Sequence, residues 1–101
     1  MAQFDVYKNT NEGSNERVPY VLDIQHDLLD NLSTRVVIPL VRDIKPLSHL
    51  NPIVEVSGMK VVLSTAEMAS IPVAVLGEKV VSLAEFRQDI VGSVDFMITG
   101  F

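Results

Sequence analysis

Few residues of this chain are equipped for chemistry, and their spacing does not gather them. His26 and His49 are the only histidines. Neither stands in H-x-x-x-H or another ligand spacing, and metal or general-base roles need several convergent groups. Each reads as a surface or turn-capping imidazole. Asp27 and Asp30 flank Leu28-Leu29 and could form a carboxylate pair, but capping the turns around the leucines is the simpler expectation. The chain has no cysteine, which removes disulfides, thiol catalysis and Cys-based metal sites together. Gly58, Gly77, Gly92 and Gly100 form no phosphate loop, and no serine sits in a G-x-S-x-G elbow. No catalytic residue, metal site or cofactor is expected. The chemistry that remains belongs to surfaces: an apolar pair between acids at 27–30, and an apolar C-terminal segment carrying Asp95.

The element that must present the C-terminal surface is a helix. Ser82 and Glu85 have the spacing of a capping box, which predicts a helix opening at Ser82. Leu83, Phe86, Ile90, Val94 and Met97 recur at steps of three and four and predict one buried stripe. Val91 and Ile98, seven apart, add a flanking stripe, so the apolar surface is wider than one sheet contact requires. Packing against a second copy of the chain is the better account of that second stripe. Gly92 costs a helix interior roughly 1 kcal/mol relative to Ala. Gly100 is placed to end the helix. Asp95 and the terminal carboxylate lie at the negative end of the dipole, where anions are unfavourable. These breaches of local rules cluster at one end, where a functional surface would show.

Upstream, strands are predicted. Gln3 to Tyr7 alternates, with Phe4 and Val6 on one side. Asn9 to Glu16 is a polar, turn-rich loop. Val18 to Ile24 is a second strand, with Pro19 at its start or on an edge. Arg35 to Val41 is a central strand with Pro39 at its margin, and Asp43 to Asn51 is a connection. Ile53–Val56 and Met59–Leu63 bracket Ser57-Gly58 as a hairpin. Ser64 to Ser70 holds a short helical turn, and Ile71 to Leu76 is a strand ended by Gly77. Five or six strands and one C-terminal helix predict a small antiparallel barrel or curled sheet carrying a helix.

The 101 residues are about one domain in size, and the 48% apolar content permits a real core. No apolar run approaches the ~20 residues of a membrane helix, and the N-terminus lacks a signal-peptide pattern. A cytoplasmic protein is expected. The net charge is −5, and the basic residues form no stripe, which disfavours direct nucleic-acid binding. A basic protein partner suits this charge better.

Several segments together carry a family resemblance. They are Gln3-Phe4 with Val6-Tyr7, Asp23 to Asp30, Arg35 to Leu40, Glu67 to Glu78, and Asp95 to Phe101. In this order and at this length the chain resembles, from residue 1 to 101, the CcdB toxins of type II toxin–antitoxin pairs. The resemblance implies a homodimer of SH3-like barrels joined through the helix region. It implies a non-enzymatic toxin that binds the DNA gyrase A subunit and traps gyrase with cleaved DNA. A CcdA-like antitoxin would neutralise it, and the pair would repress its own operon, so DNA is reached only through that complex. The gyrase-binding positions map to Leu28, Leu29 and Asp30 after the second strand. On the helix they map to Arg87, Gln88, Val91, Gly92 and Asp95, and at the end to Thr99, Gly100 and Phe101. One departure is marked: a well-known member carries tryptophan where this chain has Thr99, and threonine supplies no cation–π attraction. The alternative is an endoribonuclease toxin of the related MazF/Kid fold, which needs a basic RNA groove that the charge disfavours.

Overall fold

The computed structural model describes residues 2–100. Its strands are β1 (Asp5–Asn9), β2 (Tyr20–Asp23), β3 (Thr34–Val41), β4 (Ile53–Val56), β5 (Met59–Leu63), β6 (Ala69–Pro72) and β7 (Leu76–Ser82), followed by helix α1 (Arg87–Thr99). The strands form one antiparallel sheet in the order β4-β5-β3-β2-β1-β7, with β6 also on β3. A single 3-10 turn, Val73–Val75, carries the chain from β6 on β3 to β7 on β1. The crossing is pinned where the Thr10 hydroxyl donates to the Val75 carbonyl at 2.7 Å. The sheet therefore curls into a half-barrel, the mainly-β architecture with one C-terminal helix that the sequence predicts.

The curled sheet is apolar on both sides. On one, Phe4, Val6, Leu22, Ile38, Leu40, Val56 and Leu63 pack with Leu83 and Ile90 from the C-terminal segment. On the other, Tyr7, Val21 and Val37 pack with Ile71 and Leu76. Strands covered on both faces lose the apolar–polar alternation of a half-exposed sheet. Thus Asp5 and Tyr7, expected opposite the core, are buried as well.

Several boundaries differ from expectation for physical reasons. Ser82 does not open a helix. It ends β7, paired with Asp5, and its hydroxyl accepts from the Ala84 N–H at 3.2 Å. A 3-10 turn, Ala84–Phe86, intervenes, and α1 begins at Arg87. Gly77 does not end a strand but lies inside β7, where a Cβ would sit 2.6 Å from the Lys8 carbonyl oxygen. The predicted 71–76 strand is divided between β6, the 3-10 turn and the first residue of β7. Pro39 is within β3 rather than at its margin, opposite Val21. Its carbonyl accepts from Ser64 N–H at 2.9 Å. On that side β6 has ended its pairing at Val37 and β5 begins at Leu40, so the missing proline N–H breaks no ladder bond. The Ser57-Gly58 hairpin is present, with φ of 51° and 80°, the signs a type I′ turn requires.

Candidate functional site

The site begins from an arginine that sequence reasoning placed only at the head of a strand. Arg35 is fully buried, and so is Asp23. Arg35 Nε and Nη2 donate to Asp23 Oδ2 at 3.0 and 2.7 Å. Nη2 also donates to the Gln25 carbonyl at 3.1 Å, and Nη1 donates to Asp30 Oδ1 at 2.9 Å. Burial pushes the Asp23 carboxyl up, against the opposing pull of Arg35 and the Gln25 N–H. Burial alone would lower the guanidinium, but Asp23 and Asp30 raise it further. The pair holds because each charge is the other's replacement for water.

This clamp folds the 24–33 segment back on β3. Gln25 Nε2 donates to the Leu29 carbonyl at 2.9 Å, and Gln25 Oε1 accepts from Val36 N–H at 3.1 Å. A 3-10 turn, Asp27–Leu29, stands on this base. Its cap is His26, whose Nδ1 accepts from the Leu28 N–H at 3.0 Å. The two acids do not cap it, contrary to expectation. Asp27 Oδ1 accepts from the Gln3 N–H at 2.7 Å, and Asp30 is held by Arg35. The turn presents two leucines to solvent, Leu28 at 86% and Leu29 at 51% exposure. Two such side chains held on a turn by a buried ionic clamp form an apolar surface patch outside the two core clusters of the described residues.

The second part of the site is α1. Its inner face carries Ile90 and Ser93, both buried, and Val94, partly so, with Phe86 of the preceding 3-10 turn packed on the same core. Ser93 Oγ donates to the Ile90 carbonyl at 2.8 Å and meets the Thr65 hydroxyl at 3.2 Å. Thr65 in turn donates to the Leu50 carbonyl at 2.8 Å. A polar residue on the buried stripe, three after Ile90, was the signal for this pin. At the N-terminal end, the Arg87 guanidinium lies 5.8 Å from the Phe4 ring centroid. Phe4 has φ of 72°, a rare conformation for a bulky residue. At the other end Gly100 adopts φ of 80° and its N–H bonds to the Phe96 carbonyl at 2.8 Å, ending the helix as expected.

The outer face carries every helix position singled out from the sequence. Arg87, Gln88, Val91, Gly92, Asp95, Thr99 and Gly100 are all exposed. Ile98 is 72% exposed and Val91, at 37%, is the more covered of the two, so among the described residues the flanking stripe is open chiefly at Ile98. Met97, expected on the buried stripe, lies at its open margin at 36%. Thr99 Oγ1 donates back to the Asp95 carbonyl at 2.7 Å. Phe101 lies outside the described residues.

Leu28, Leu29 and Asp30 are held by the Arg35 clamp, whereas the helix positions are held by the core and the Ser93–Thr65 pin. The two groups are thus fixed independently on one scaffold. A cavity of about 790 Å³ also opens beside α1, lined by Asp89, Gly92, Phe96 and Gly100 from the helix side and by His49 and Ile53 opposite. The His49 and Phe96 rings there are 5.9 Å apart. Among the described residues no group of three or more His, Cys, Asp or Glu is placed to hold a metal ion. No helix among them is long and apolar enough to cross a membrane. Arranged this way, the surface can bind a partner through apolar and acidic contacts. Residues 3–100 of the chain match the family described as CcdB protein.

Proposed function

The chain belongs to the CcdB family, which supports a toxin of a toxin–antitoxin pair, and from that premise we propose that it is a gyrase poison. In this reading it binds the DNA gyrase A subunit and traps gyrase with cleaved DNA. It acts by binding, without catalysis of its own. It works in the cytoplasm as a homodimer joined through the α1 region, and a CcdA-like antitoxin neutralises it. The toxin–antitoxin complex represses its operon, so DNA is reached only through the antitoxin.

The observation that supports this reading best is the outer face of α1. Val91 and Ile98 are exposed beside Asp95 on a helix whose inner face already fills a core. An apolar stripe left outside after the core is complete suits a two-fold contact, a partner contact, or both in adjacent parts. The Leu28-Leu29 turn supplies a second apolar patch. The binding residues proposed are Leu28, Leu29, Asp30, Arg87, Gln88, Val91, Gly92, Asp95, Thr99, Gly100 and Phe101.

The test is incubation of the purified protein with gyrase and supercoiled DNA, and separately with RNA. Linear DNA that forms only with gyrase supports the proposal. RNA cleavage without gyrase would replace it with the MazF/Kid-type reading.

A further inference from the structure

A second cavity, of about 510 Å³, lies in the mouth of the half-barrel. It is on the sheet face away from α1, because its floor is formed by Val21, Val37, Ile71 and Leu76, the side chains of the second core. The β1–β2 loop and the Val73–Val75 crossing form its rim. That size and an apolar lining with a few polar groups are characteristic of small-ligand sites, and barrel mouths are a common place for them.

The polar rim is informative because nearly all of it is already engaged. Lys8 pairs with Glu78 at 3.5 Å. Asn9 Nδ2 donates to Ser14 Oγ at 3.0 Å and to the Val18 carbonyl at 2.8 Å. Thr10 donates to Val75, Asn11 Oδ1 accepts from the Gly13 N–H, and Glu67 accepts from the Ser64 hydroxyl at 2.5 Å. The Arg17 side chain is the exception. It lines the cavity and has no hydrogen-bond or ion-pair partner among the described residues. Its backbone is nonetheless fixed, since Arg42 N–H donates to the Arg17 carbonyl at 2.8 Å. A chain of net charge −5 offers many carboxylates, yet among the described residues none is paired with this guanidinium.

We propose that this cavity binds a small amphipathic carboxylate, with its aliphatic body on the apolar floor and its carboxylate on Arg17. The guanidinium fork matches the two carboxylate oxygens, and a charge-assisted pair beside a water-poor wall is stronger than one in open solvent. A nucleic-acid strand does not fit, because one guanidinium over an apolar floor cannot track successive phosphates. A neutral aliphatic ligand would use the floor but leave Arg17 unanswered. The site shares no residue with the proposed gyrase-binding surface, so the two can fail separately.

The experiment is an amide NMR titration of the whole protein with decanoate and with decanol, each below its self-association limit. Saturable shifts are expected at Arg17, Val37, Ile71 and Leu76, with decanoate binding more tightly than decanol. Arg17→Gln should weaken decanoate by about tenfold or more and leave decanol unchanged, while Arg17→Lys should retain much of the decanoate affinity. Gyrase-dependent DNA cleavage by Arg17→Gln should match the parent. Absence of saturable shifts, shifts confined to α1, or equal weakening of both ligands in Arg17→Gln would overturn the assignment.

Discussion

Arg35 reaches Asp23 with two donors, at 3.0 and 2.7 Å, and neither side chain has any exposed surface. The same guanidinium reaches outward to Asp30, whose side chain is 53% exposed. One buried charge therefore connects the interior of the half-barrel to the turn that presents Leu28 and Leu29.

Removing the centre of this ionic network and removing its outer end should cost very different amounts. Arg35→Met strips the partner from a buried carboxylate and should destabilise by about 3–5 kcal/mol. Asp30→Ala breaks only a solvent-screened pair and should cost roughly 1 kcal/mol or less. Urea unfolding of both variants measures the difference. Equal costs would mean that the clamp is held from Asp30 and not from Asp23.

Tyr7 gives a pH signature. Its hydroxyl is buried 3.4 Å from Asp5 Oδ2. Burial, with the Asp5 and Asp23 charges behind it, pushes the phenol up to about 12. A group whose folded pKa lies above its unfolded value stabilises fully below the unfolded value, about 10, and that stabilisation is lost as pH rises through the folded one. Stability should fall across pH 10–12 by on the order of 2 kcal/mol from this group. In Tyr7→Phe that part of the slope should disappear. Denaturation midpoints at several alkaline pH values for the two proteins make the comparison.

Two glycines should respond oppositely to alanine. A Cβ at Gly77 would meet the Lys8 carbonyl oxygen at 2.6 Å, between two backbones that cannot separate without breaking the β1–β7 pairing. Gly77→Ala should cost about 1–3 kcal/mol. A Cβ at Gly92 would meet nothing within 4 Å, so Gly92→Ala should gain up to about 1 kcal/mol from helix propensity. Thermal melts decide both signs. A destabilised Gly92→Ala would show that the open space beside α1 is already occupied in solution, for example by a second copy.

Local signals located what local physics determines. The Ser57-Gly58 hairpin, the stop at Gly100 and the leftover stripe Val91–Ile98 were all readable, because turn chemistry and helical period fix them within a few residues. The helix start was not. The Ser82–Glu85 spacing favours a capping box, but Ser82 is claimed by its ladder partner Asp5, 77 positions earlier, and tertiary pairing outweighs a cap. Arg35 was unreadable for a related reason. A basic residue before an apolar run reads as the solvated end of a strand, and only Asp23, brought beside it by the β2–β3 pairing, and Asp30, from the turn that follows β2, offset its burial. The acids at 27 and 30 stand out in the sequence as turn caps, yet their roles lie in contacts with Gln3 and Arg35 rather than in their own turn.

The proposed two-fold contact is tested on the outer stripe. Val91→Asp and Ile98→Asp put charges where apolar side chains are 37% and 72% exposed in one chain. Neither residue belongs to the core cluster, so circular dichroism should keep the parent's form, most closely for Ile98→Asp, the more exposed site. Light scattering at micromolar concentration should give twice the chain mass for the parent and the single mass for a variant that breaks the interface. A parent of single mass removes the dimer from the proposal.

Asp95 offers a variant in which stability and binding should move in opposite directions. Its carboxylate is exposed, has no hydrogen-bond or ion-pair partner among the described residues, and sits near the negative end of the α1 dipole. Replacing it with asparagine keeps the shape and removes the unfavourable charge. Asp95→Asn should therefore stabilise the free protein slightly, by about 0.3–1 kcal/mol at low salt. If Asp95 meets a basic group of gyrase, the same change should weaken binding by about 1–3 kcal/mol. That loss should shrink as salt rises, because the lost contact is charged. Leu28→Ala should instead weaken binding by an amount nearly independent of salt, since its contribution is apolar area. The turn and the helix end are fixed by separate contacts, so the two losses should add to within about 0.5 kcal/mol in the double variant. Calorimetric titration of the gyrase A fragment at two salt concentrations reads all of these quantities. An Asp95→Asn protein that gains stability but binds like its parent at both salts would take Asp95 out of the contact. The apolar positions on α1 and on the 27–29 turn would then have to carry it.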